Sequence, residues 1–560
     1  MRHPSGGGII CPFPAPPRTG GASFEVALLA GLSGKVLRSL GWVFANMATK
    51  NVLQFVRTVV LWRILSEDDF GLNGLAWLAI NGFALLQDMG FQSALIQRKT
   101  DLDKAVSVTW YANVAIRGVV YAVLFSIAPA VAAHFREPEV CPILRVASLT
   151  VLANSFGSAN EALLRKNFQF ERILVVDSLE LLVQVAIQIV LALLGFGVWS
   201  LVYGTLASAI VRSLLLWRIA PIRLVRFDPA VAWQMFHFGK HMTLSTLLVW
   251  CINNMDYYFV GKFLGKAALG FYTLAYKLAF LLSANVAKGL GAVLFPAFSE
   301  IGDDRDRVRA AWLKSIRYSM AVMVPMALGM ILFSRQIIAT FYKPKCDVIV
   351  ATFSILTVAA LFRGVGVPIG DLQKGIGRPH LLTTVAFAHV LAMAPILGLV
   401  TALAAPATRA LLGSAGLVPI EGAIAWTFVY PLHLRVSLAA ASVAITGTTF
   451  FAGLGFALVL TSRHVGYTAR QVLGALAPSL ASGGVMAAAA LGAKAALAIF
   501  APSAPAPVVL FVGGPTAAAA YAVTMLAVFP SVYGDLRALL ARSRPSPEVR
   551  EGGEAAAWVP

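Results

Sequence analysis

The chain is poor in charged residues and in cysteine. Only 13% of its 560 residues are Asp, Glu, Lys or Arg, and only four are cysteine. The cysteines lie far apart without the spacing of metal ligands, so we expect isolated thiols rather than a disulfide or a metal site. They are Cys11, Cys141, Cys251 and Cys346.

The motifs of common enzymes are also missing. No HExxH, paired CxxC or GxSxG arrangement occurs in the sequence. Gly34-Lys35 is followed by Val36 and therefore lacks the hydroxyl side chain that binds magnesium in a phosphate loop. We expect no catalytic residue, no metal and no cofactor, and we predict that the protein is not an enzyme.

Apolar sequence dominates instead. The chain is 58% hydrophobic with a mean hydropathy of +0.77, which is too apolar for a water-soluble core. One crossing of a bilayer takes roughly 20 apolar residues. We predict an all-α integral membrane protein with about 14 transmembrane helices, and the length of block 417–461 leaves one or two spans more or fewer open. The apolar blocks lie near 39–64, 70–96, 105–133, 140–164, 173–194, 197–220, 232–261, 268–299, 311–334, 347–373, 380–404, 417–461, 469–499 and 507–530.

The chain contains an internal repeat with an offset of about 199 positions. Such repeats are typical of carriers whose two lobes move about a site between them. We expect a disordered tail at 1–34, an N-terminal lobe at 35–226, a C-terminal lobe at 227–465, two additional helices at 466–535 and a cytoplasmic tail at 536–560. The repeated elements are Gly41, Gly71, Leu75-Ala76-Trp77 and Gly90, which recur as Gly239, Gly270, Leu274-Ala275-Tyr276 and Gly289.

Basic residues predict the orientation. When alternate connections are assigned to one side, that side carries 23 Lys and Arg residues and the other carries seven. Because cytoplasmic loops are enriched in Lys and Arg, both termini are predicted to be cytoplasmic. The formal charge of +19 reflects this asymmetry. The basic residues lie singly between helices and form no continuous stripe, which argues against a nucleic-acid partner.

Ionisable residues inside the predicted spans are the candidates for a site. Asn46, Lys50, Gln54 and Arg57 share one face of the first span, and Asp177, Glu180, Gln184 and Gln188 share one face of the fifth. A charge facing lipid at the bilayer centre costs at least about 2.5–3.5 kcal/mol, so these residues must face protein or water. A structural ion pair, for example of Lys50 or Arg57 with Asp177, is the alternative to a polar path for a solute.

The cations suit an anionic solute, since Arg offers a bidentate fork and Lys a point charge to a phosphate. Tyr and Trp residues near them are candidates for stacking on sugars, although these residue types also gather at membrane interfaces. The residues alone predict a carrier of a polar, anionic solute. The predicted substrate-binding residues are Lys50, Arg57, Arg117, Lys240, Lys277, Lys288 and Arg363, and the ion-coupling candidates are Asp177, Glu180, Asp256 and Asp371.

Four segments resemble the polysaccharide transporters of the Wzx type, which belong to the superfamily of multidrug, oligosaccharidyl-lipid and polysaccharide exporters. The segments are ILSEDDFGL (64–72), LLQDMGFQSALIQR (85–98), LLRKNFQF (163–170) and GFGVWSLV (195–202). The resemblance extends from about residue 35 to 400 and fades beyond it, where 405–465 departs from the usual spacing. It implies two six-helix lobes followed by two further helices.

The resemblance also implies a task and a location. The protein would be a multi-pass protein of a bacterial inner membrane that moves an undecaprenyl-pyrophosphate-linked oligosaccharide by alternating access. Membrane lipid and the polymerase and export components of a polysaccharide pathway would be its partners. Some relatives couple transport to protons or sodium, but 380–404 contains no carboxylate that would carry over a sodium site.

Two other functions stay open at this point. A drug/cation antiporter of the same superfamily would favour an acidic, aromatic pocket. A polytopic glycosyltransferase or polymerase of the same pathway would need a long extracytoplasmic loop or an acidic metal-binding motif, and neither is found in the sequence.

Overall fold

The computed structural model describes residues 34–83, 91–98, 101–167, 169–301, 304–376, 378–414 and 430–528. Over these ranges the chain is helical and contains no β-strand. The predicted tails 1–34 and 536–560 lie outside the described residues, apart from Gly34. The first ten helices are α1 Gly34–Ile64, α2 Glu67–Gly82, α3 Phe91–Gln97, α4 Leu102–Phe135, α5 Val140–Ala147, α6 Leu149–Ser155, α7 Ser158–Lys166, α8 Phe170–Leu193, α9 Val198–Ile219 and α10 Pro229–Phe259.

The second half continues in the same way. A π-helical turn, Val260–Leu264, follows α10, and a 3₁₀ turn, Pro344–Ile349, precedes α14. A second π-helical turn, Thr449–Gly455, joins α16 to α17. The helices are α11 Lys266–Glu300, α12 Arg305–Leu332, α13 Ser334–Phe341, α14 Val350–Gly375, α15 Pro379–Ser414, α16 Tyr430–Thr448, α17 Phe456–Val465, α18 Ala469–Phe500 and α19 Ala506–Val528.

Nine helical segments of the described chain are long and apolar enough to cross a membrane. The number is ten if Val140–Ser155 and Ser158–Lys166, which are bent by 44°, form one span. The predicted all-α membrane fold is therefore confirmed, while the count of fourteen stays a prediction. Of the long block 417–461, the part up to 429 lies outside the described residues, and 430–465 forms one continuous helical segment with a π-helical turn inside it.

Short polar side chains cap the first turns of four helices, α2, α10, α12 and α18. The Ser66 hydroxyl accepts a hydrogen bond from the Asp69 amide at 3.2 Å, and the Asp69 carboxylate accepts one from the Ser66 amide at 2.9 Å. This capping box satisfies two amides that have no partner inside α2. Asp228 accepts hydrogen bonds from the first amides of α10, and those from Val231 and Ala230 lower the pKa of its carboxyl. The segment 221–228 before α10 has no regular secondary structure and contains the predicted boundary between the lobes.

Helices α2 and α11 cross at the two glycines that the repeat relates. A Cβ atom on Gly71 would lie 2.0 Å from the carbonyl oxygen of Lys266, and one on Gly270 would lie 2.1 Å from that of Glu67. Glu67 and Lys266 are themselves 199 positions apart, so the contact is reciprocal, as in an isologous interface between two copies of a subunit. Only glycine allows the two backbones to approach so closely.

Further contacts join the two halves at the same end of the bundle, which we call the α1–α2 end because α1 ends and α2 begins there. Trp62 of α1 stacks on Phe70 of α2 at a centroid distance of 4.2 Å and lies 6.0 Å from Phe271 of α11. The Arg63 guanidinium donates to the carbonyl oxygens of Thr340 and Phe341 at 2.8 and 3.0 Å. Lys345 and Glu67 form an ion pair. The α1–α2 end is thus closed by packed aromatic rings, a backbone crossing and polar contacts.

Candidate functional site: a cationic cavity between the two lobes

A cavity of about 800 Å³ lies between the two halves of the repeat. Its walls come from α1, α2, α8 and α9 on one side and from α10, α11 and α14 on the other. Trp62 and Phe70 belong to its lining, so the packed rings that close the α1–α2 end also bound the cavity at that end. A space of this size is typical of a site for a small molecule or for part of a larger one.

The repeat is preserved in the lining of this cavity. Six pairs of lining residues are separated by 199 positions, so equivalent positions of the two halves face the same space. Several pairs differ in chemistry, and Leu78, for example, corresponds to Lys277. The cavity therefore has an approximate two-fold shape with an asymmetric chemical surface. The six pairs are Gln54 and Asn253, Thr58 and Tyr257, Gly74 and Thr273, Trp77 and Tyr276, Leu78 and Lys277, and Asn81 and Phe280.

All charged residues of the described lining are basic. They are Arg57 of α1, Lys277 of α11 and Arg363 of α14, and the described lining contains no carboxylate. Seven amide side chains surround these cations and offer both donors and acceptors. The surface is suited to a ligand that has negative charge together with many hydroxyl groups. The amides are Gln54, Asn73, Asn81, Gln184, Gln188, Asn253 and Asn254.

Arg57 and Lys277 line the cavity from opposite halves, and neither has a counter-ion among the described residues. Arg57 Nε is buried and has no hydrogen-bond partner among the described residues. Lys277 is exposed to the cavity and forms no ion pair or hydrogen bond with another described residue. Both positive charges border the same cavity, so they repel each other. An anion between them would remove that repulsion, because like charges destabilise each other more strongly where water is scarce.

Arg363, in contrast, is held by the protein. Its guanidinium donates to Asn253 Oδ1 at 2.9 Å, to the Tyr276 hydroxyl at 3.1 Å and to the carbonyl oxygen of Ile252 at 3.3 Å. It also lies 4.7 Å above the centre of the Phe280 ring, within the range of a cation–π interaction. These contacts fix one face of the guanidinium plane on the wall of the cavity.

Asp256 is fully buried on α10, about one helical turn after Asn253, which contacts Arg363. Its Oδ2 accepts a hydrogen bond from the Tyr272 hydroxyl at 2.7 Å. Asp256 does not line the cavity. The buried carboxylate is therefore hydrogen-bonded inside the protein and is not exposed to a solute in the cavity.

Lys50, Asp177 and Glu180 belong to an ion cluster inside the first half. Lys50 Nζ lies 2.5 Å from Asp177 Oδ2, and Arg212 of α9 lies 2.6 Å from Asp177 Oδ1 and 3.0 Å from Glu161 Oε2. Arg212 also contacts Glu180. Of the two cations considered for a structural pair with Asp177, Lys50 makes that pair and Arg57 does not.

Arg212 was missed as a site residue. It falls within the apolar block 197–220 but is not among the residues predicted for the site, and the structure places it inside α9, which ends only at Ile219. Three carboxylates share it, namely Glu161, Asp177 and Glu180. The sequence did contain a signal. Three acidic residues lie on predicted spans of the first half, and the only cations predicted at a similar depth in the membrane there were Lys50, Arg57 and Arg117.

The remaining predicted residues lie elsewhere. Arg117 is 9% exposed and lines a second cavity of about 310 Å³ inside the first half, together with Glu161, Glu180 and Arg212. Asp371 of α14 is buried and does not line the central cavity. Lys240 and Lys288 fall on α10 and α11, but their side chains lie outside the described residues. The described residues contain no group of three or more His, Cys, Asp and Glu that could hold a metal ion.

A helical membrane bundle of two related halves with a polar cavity between them defines the class of membrane carriers. Comparison with solved structures gives the same fold. Lipid II flippase MurJ in an inward closed conformation matches with a TM-score of 0.60 at 14% identity, over 87% of this chain and 99% of that one. A multidrug resistance MATE family transporter of the MOP superfamily in an inward-facing conformation matches with a TM-score of 0.56 at 14% identity, over 79% and 98% of the two chains.

The family follows from the sequence match. Residues 60–351 match the model of the family described as polysaccharide biosynthesis protein, and the chain belongs to this family. Succinoglycan biosynthesis transport protein ExoT of Rhizobium meliloti (strain 1021) is 28% identical over 62% of this chain and 70% of its own length. Lipopolysaccharide biosynthesis protein WzxC of Escherichia coli (strain K12) is 26% identical over 58% and 67%. The resemblance to polysaccharide transporters predicted from the sequence is confirmed, and with it the prediction of a transporter rather than an enzyme.

Proposed function

We propose that this protein is a flippase for an oligosaccharide linked to undecaprenyl pyrophosphate. It moves this repeat unit across the bacterial inner membrane for the synthesis of an exopolysaccharide, a capsule or an O-antigen. The observation that carries the proposal is the central cavity, whose described lining has three cations, seven amides and no carboxylate. The diphosphate takes the cationic positions, the sugars take the amides and aromatic rings, and the prenyl chain stays in lipid.

Alternating access between the two lobes is the mechanism that fits this geometry. The α1–α2 end is closed by the Gly71–Gly270 crossing and by the stacked rings of Trp62 and Phe70. With both termini in the cytoplasm, as the basic residues predict, this closed end faces the periplasm. The lipid-linked cargo would enter the cavity from the cytoplasmic leaflet and leave after the α1–α2 end opens.

The ion cluster supports a proposal for coupling. Asp177 and Glu180 both contact Arg212, and of these two carboxylates Asp177 pairs with Lys50. Protonation of Glu180 would release one contact of Arg212 inside the lobe, which makes Asp177 and Glu180 the proposed coupling carboxylates. Asp256 and Asp371, the other two candidates, stay predictions, as do Lys240 and Lys288 as cargo ligands.

The antiporter alternative finds less support. A carrier of organic cations needs a negative or purely aromatic pocket, because buried positive charge repels its substrate. The described lining of the central cavity carries only positive charge. We therefore propose no second function.

Deleting the gene tests the proposal. Export of the polysaccharide should stop while its lipid-linked repeat unit accumulates on the cytoplasmic leaflet, and the intact gene should restore export. Thin-layer or mass-spectrometric analysis of the lipid-linked pool, together with the amount of surface polymer, measures both effects. Undiminished polymer in a strain that has no second transporter of this family would refute the proposal.

A further inference from the structure

We propose that residues 221–228, the segment between the two lobes, form a binding site for anionic phospholipid of the leaflet that this segment borders. The linker, as we call this segment, joins α9 of the first half to α10 of the second. Its two cations are Arg223 and Arg226, and neither of them lines the central cavity. The ligand is a lipid that stays in its leaflet, so the inference does not rest on the nature of the cargo.

The first half holds the linker by its backbone. The Ser107 hydroxyl of α4 accepts a hydrogen bond from the Val225 amide at 2.9 Å and lies 3.3 Å from the carbonyl oxygen of Arg223. Directly before the linker, the Ala220 carbonyl oxygen accepts a hydrogen bond from Asn160 Nδ2 of α7 at 2.8 Å. Ser107 and Asn160 are fully buried. The linker therefore has a fixed place against α4 and α7, although it has no regular secondary structure.

The side chains of the linker are exposed. Arg223 and Arg226 form neither an ion pair nor a side-chain hydrogen bond with another described residue. Asp228, the single acid of the linker sequence, caps α10 and pairs with Lys104 at 3.5 Å, so it does not serve as their counter-ion. The apolar side chains beside the two arginines are exposed as well. They are Leu224, Val225 and Phe227.

The linker lies where membrane-spanning helices end. Helix α9 is long and apolar enough to cross a membrane, and it ends at Ile219, directly before the linker. Trp233, in the second turn of α10, is 67% exposed. Tryptophan gathers at the interface between hydrocarbon and headgroups, where apolar side chains next to basic ones are also stable. The exposed side chains of the linker therefore meet the headgroup layer.

The charge of the linker favours an anionic headgroup. The Cα atoms of Arg223 and Arg226 are at most about 11 Å apart, because three residues span no more than that, so both side chains can reach one headgroup or two neighbouring ones. A basic residue is attracted by the negative surface potential of a leaflet that contains anionic lipid. The orientation predicted from the basic residues makes this leaflet the cytoplasmic one. An acidic protein would also fit the two charges, but it would not account for the exposed apolar side chains at the ends of spans.

Lipid binding by the purified full-length protein tests the site. The probes are dioleoylphosphatidylglycerol and dioleoylphosphatidylcholine, titrated into protein in a neutral detergent, and native mass spectrometry measures the dissociation constant of the tightest lipid site. We expect the wild type to prefer phosphatidylglycerol. Each arginine should contribute about fivefold, so Arg223→Gln with Arg226→Gln should weaken binding of phosphatidylglycerol by about thirtyfold. Binding of phosphatidylcholine should not change. Both side chains are exposed and unpaired, so the variant should fold like the wild type.

Arg463→Gln with Arg470→Gln is the matched control. These arginines are exposed, make no ion pair with a described residue and lie between α17 and α18, like the linker at the end opposite the α1–α2 end. The control removes the same charge and should keep the wild-type affinity. An equal loss in both variants would show a general effect of charge and overturn the site.

Unchanged binding of phosphatidylglycerol in the linker variant would overturn the inference as well. A loss of polysaccharide export in that variant would then indicate an acidic protein as the partner of the linker. Neither probe carries a diphosphate or a sugar, so a failure of this inference leaves the flippase proposal intact.

Discussion

The glycine crossing at the α1–α2 end makes the sharpest prediction about transport. In Gly270→Ala the new Cβ would lie 2.1 Å from the Glu67 carbonyl oxygen and 3.3 Å from the Gly71 nitrogen. Real Cβ contacts are essentially never shorter than 3.0 Å, so the backbones must separate by at least 0.9 Å. Both obstructing atoms belong to the backbone of α2, so rotation of a side chain cannot relieve the clash and the helices themselves must move.

If α2 and α11 separate at this crossing when the α1–α2 end opens, the substitution destabilises only the closed state. Forcing extra volume into a packed contact costs about 1–3 kcal/mol. A shift of about 1.4 kcal/mol changes the ratio of closed to open molecules tenfold. Gly270→Ala should therefore raise the population in which the cavity is reachable from the α1–α2 end by about tenfold, and export should fall because the cycle is held on one side.

Labelling of a cysteine in the cavity measures this population. Thr58 lines the cavity and can be changed to Cys in a chain whose four native cysteines have been replaced. A membrane-impermeant maleimide added to intact cells should then label Thr58→Cys faster in the Gly270→Ala background. Gly118→Ala is the control, because a Cβ there has no atom within 4 Å. Wild-type labelling together with wild-type export at normal abundance would refute the reasoning.

Three further outcomes are expected. Arg57→Ala should reduce export at normal protein abundance. Arg57→Lys should restore export only in part, because a point charge lacks the guanidinium fork. Adding Asp177→Asn to Arg57→Ala should not rescue export, because Asp177 pairs with Lys50 and Arg212. Arg212→Leu leaves three carboxylates without their shared cation and should lower the amount of folded protein, at a cost of about 3–5 kcal/mol, while Arg212→Lys should be milder. Reporter fusions after residue 528 and within 134–139 should report opposite sides of the membrane, and the same side for both would contradict the predicted orientation.

The sequence predicted which polar side chains share a helix face better than it predicted which residues those side chains contact. Helical spacing placed Lys50, Gln54 and Arg57 on one face of α1, and Gln54 and Arg57 do line the cavity. Lys50 lies on the same face two turns earlier and pairs with Asp177 instead. Periodicity gives the direction of a side chain around the helix axis, but the depth at which a neighbouring helix supplies a counter-ion depends on packing between helices. For the same reason Arg212 could not be recognised as the centre of the ion cluster.

The repeat shows how one fold acquires a site for a particular solute. Equivalent positions of the two halves line the cavity in six pairs, so duplication accounts for its shape. Duplication cannot account for the charge of the cavity. An exact copy of Arg57 would place a second arginine at position 256, where the second half has an acid. The pair of cavity cations Arg57 and Lys277 therefore exists through departures from the repeat: Lys277 where the first half has Leu78, and Asp256 where it has Arg57. In relatives of this fold, we expect the differences between equivalent positions of the halves, rather than the shared residues, to vary with the charge of the transported solute.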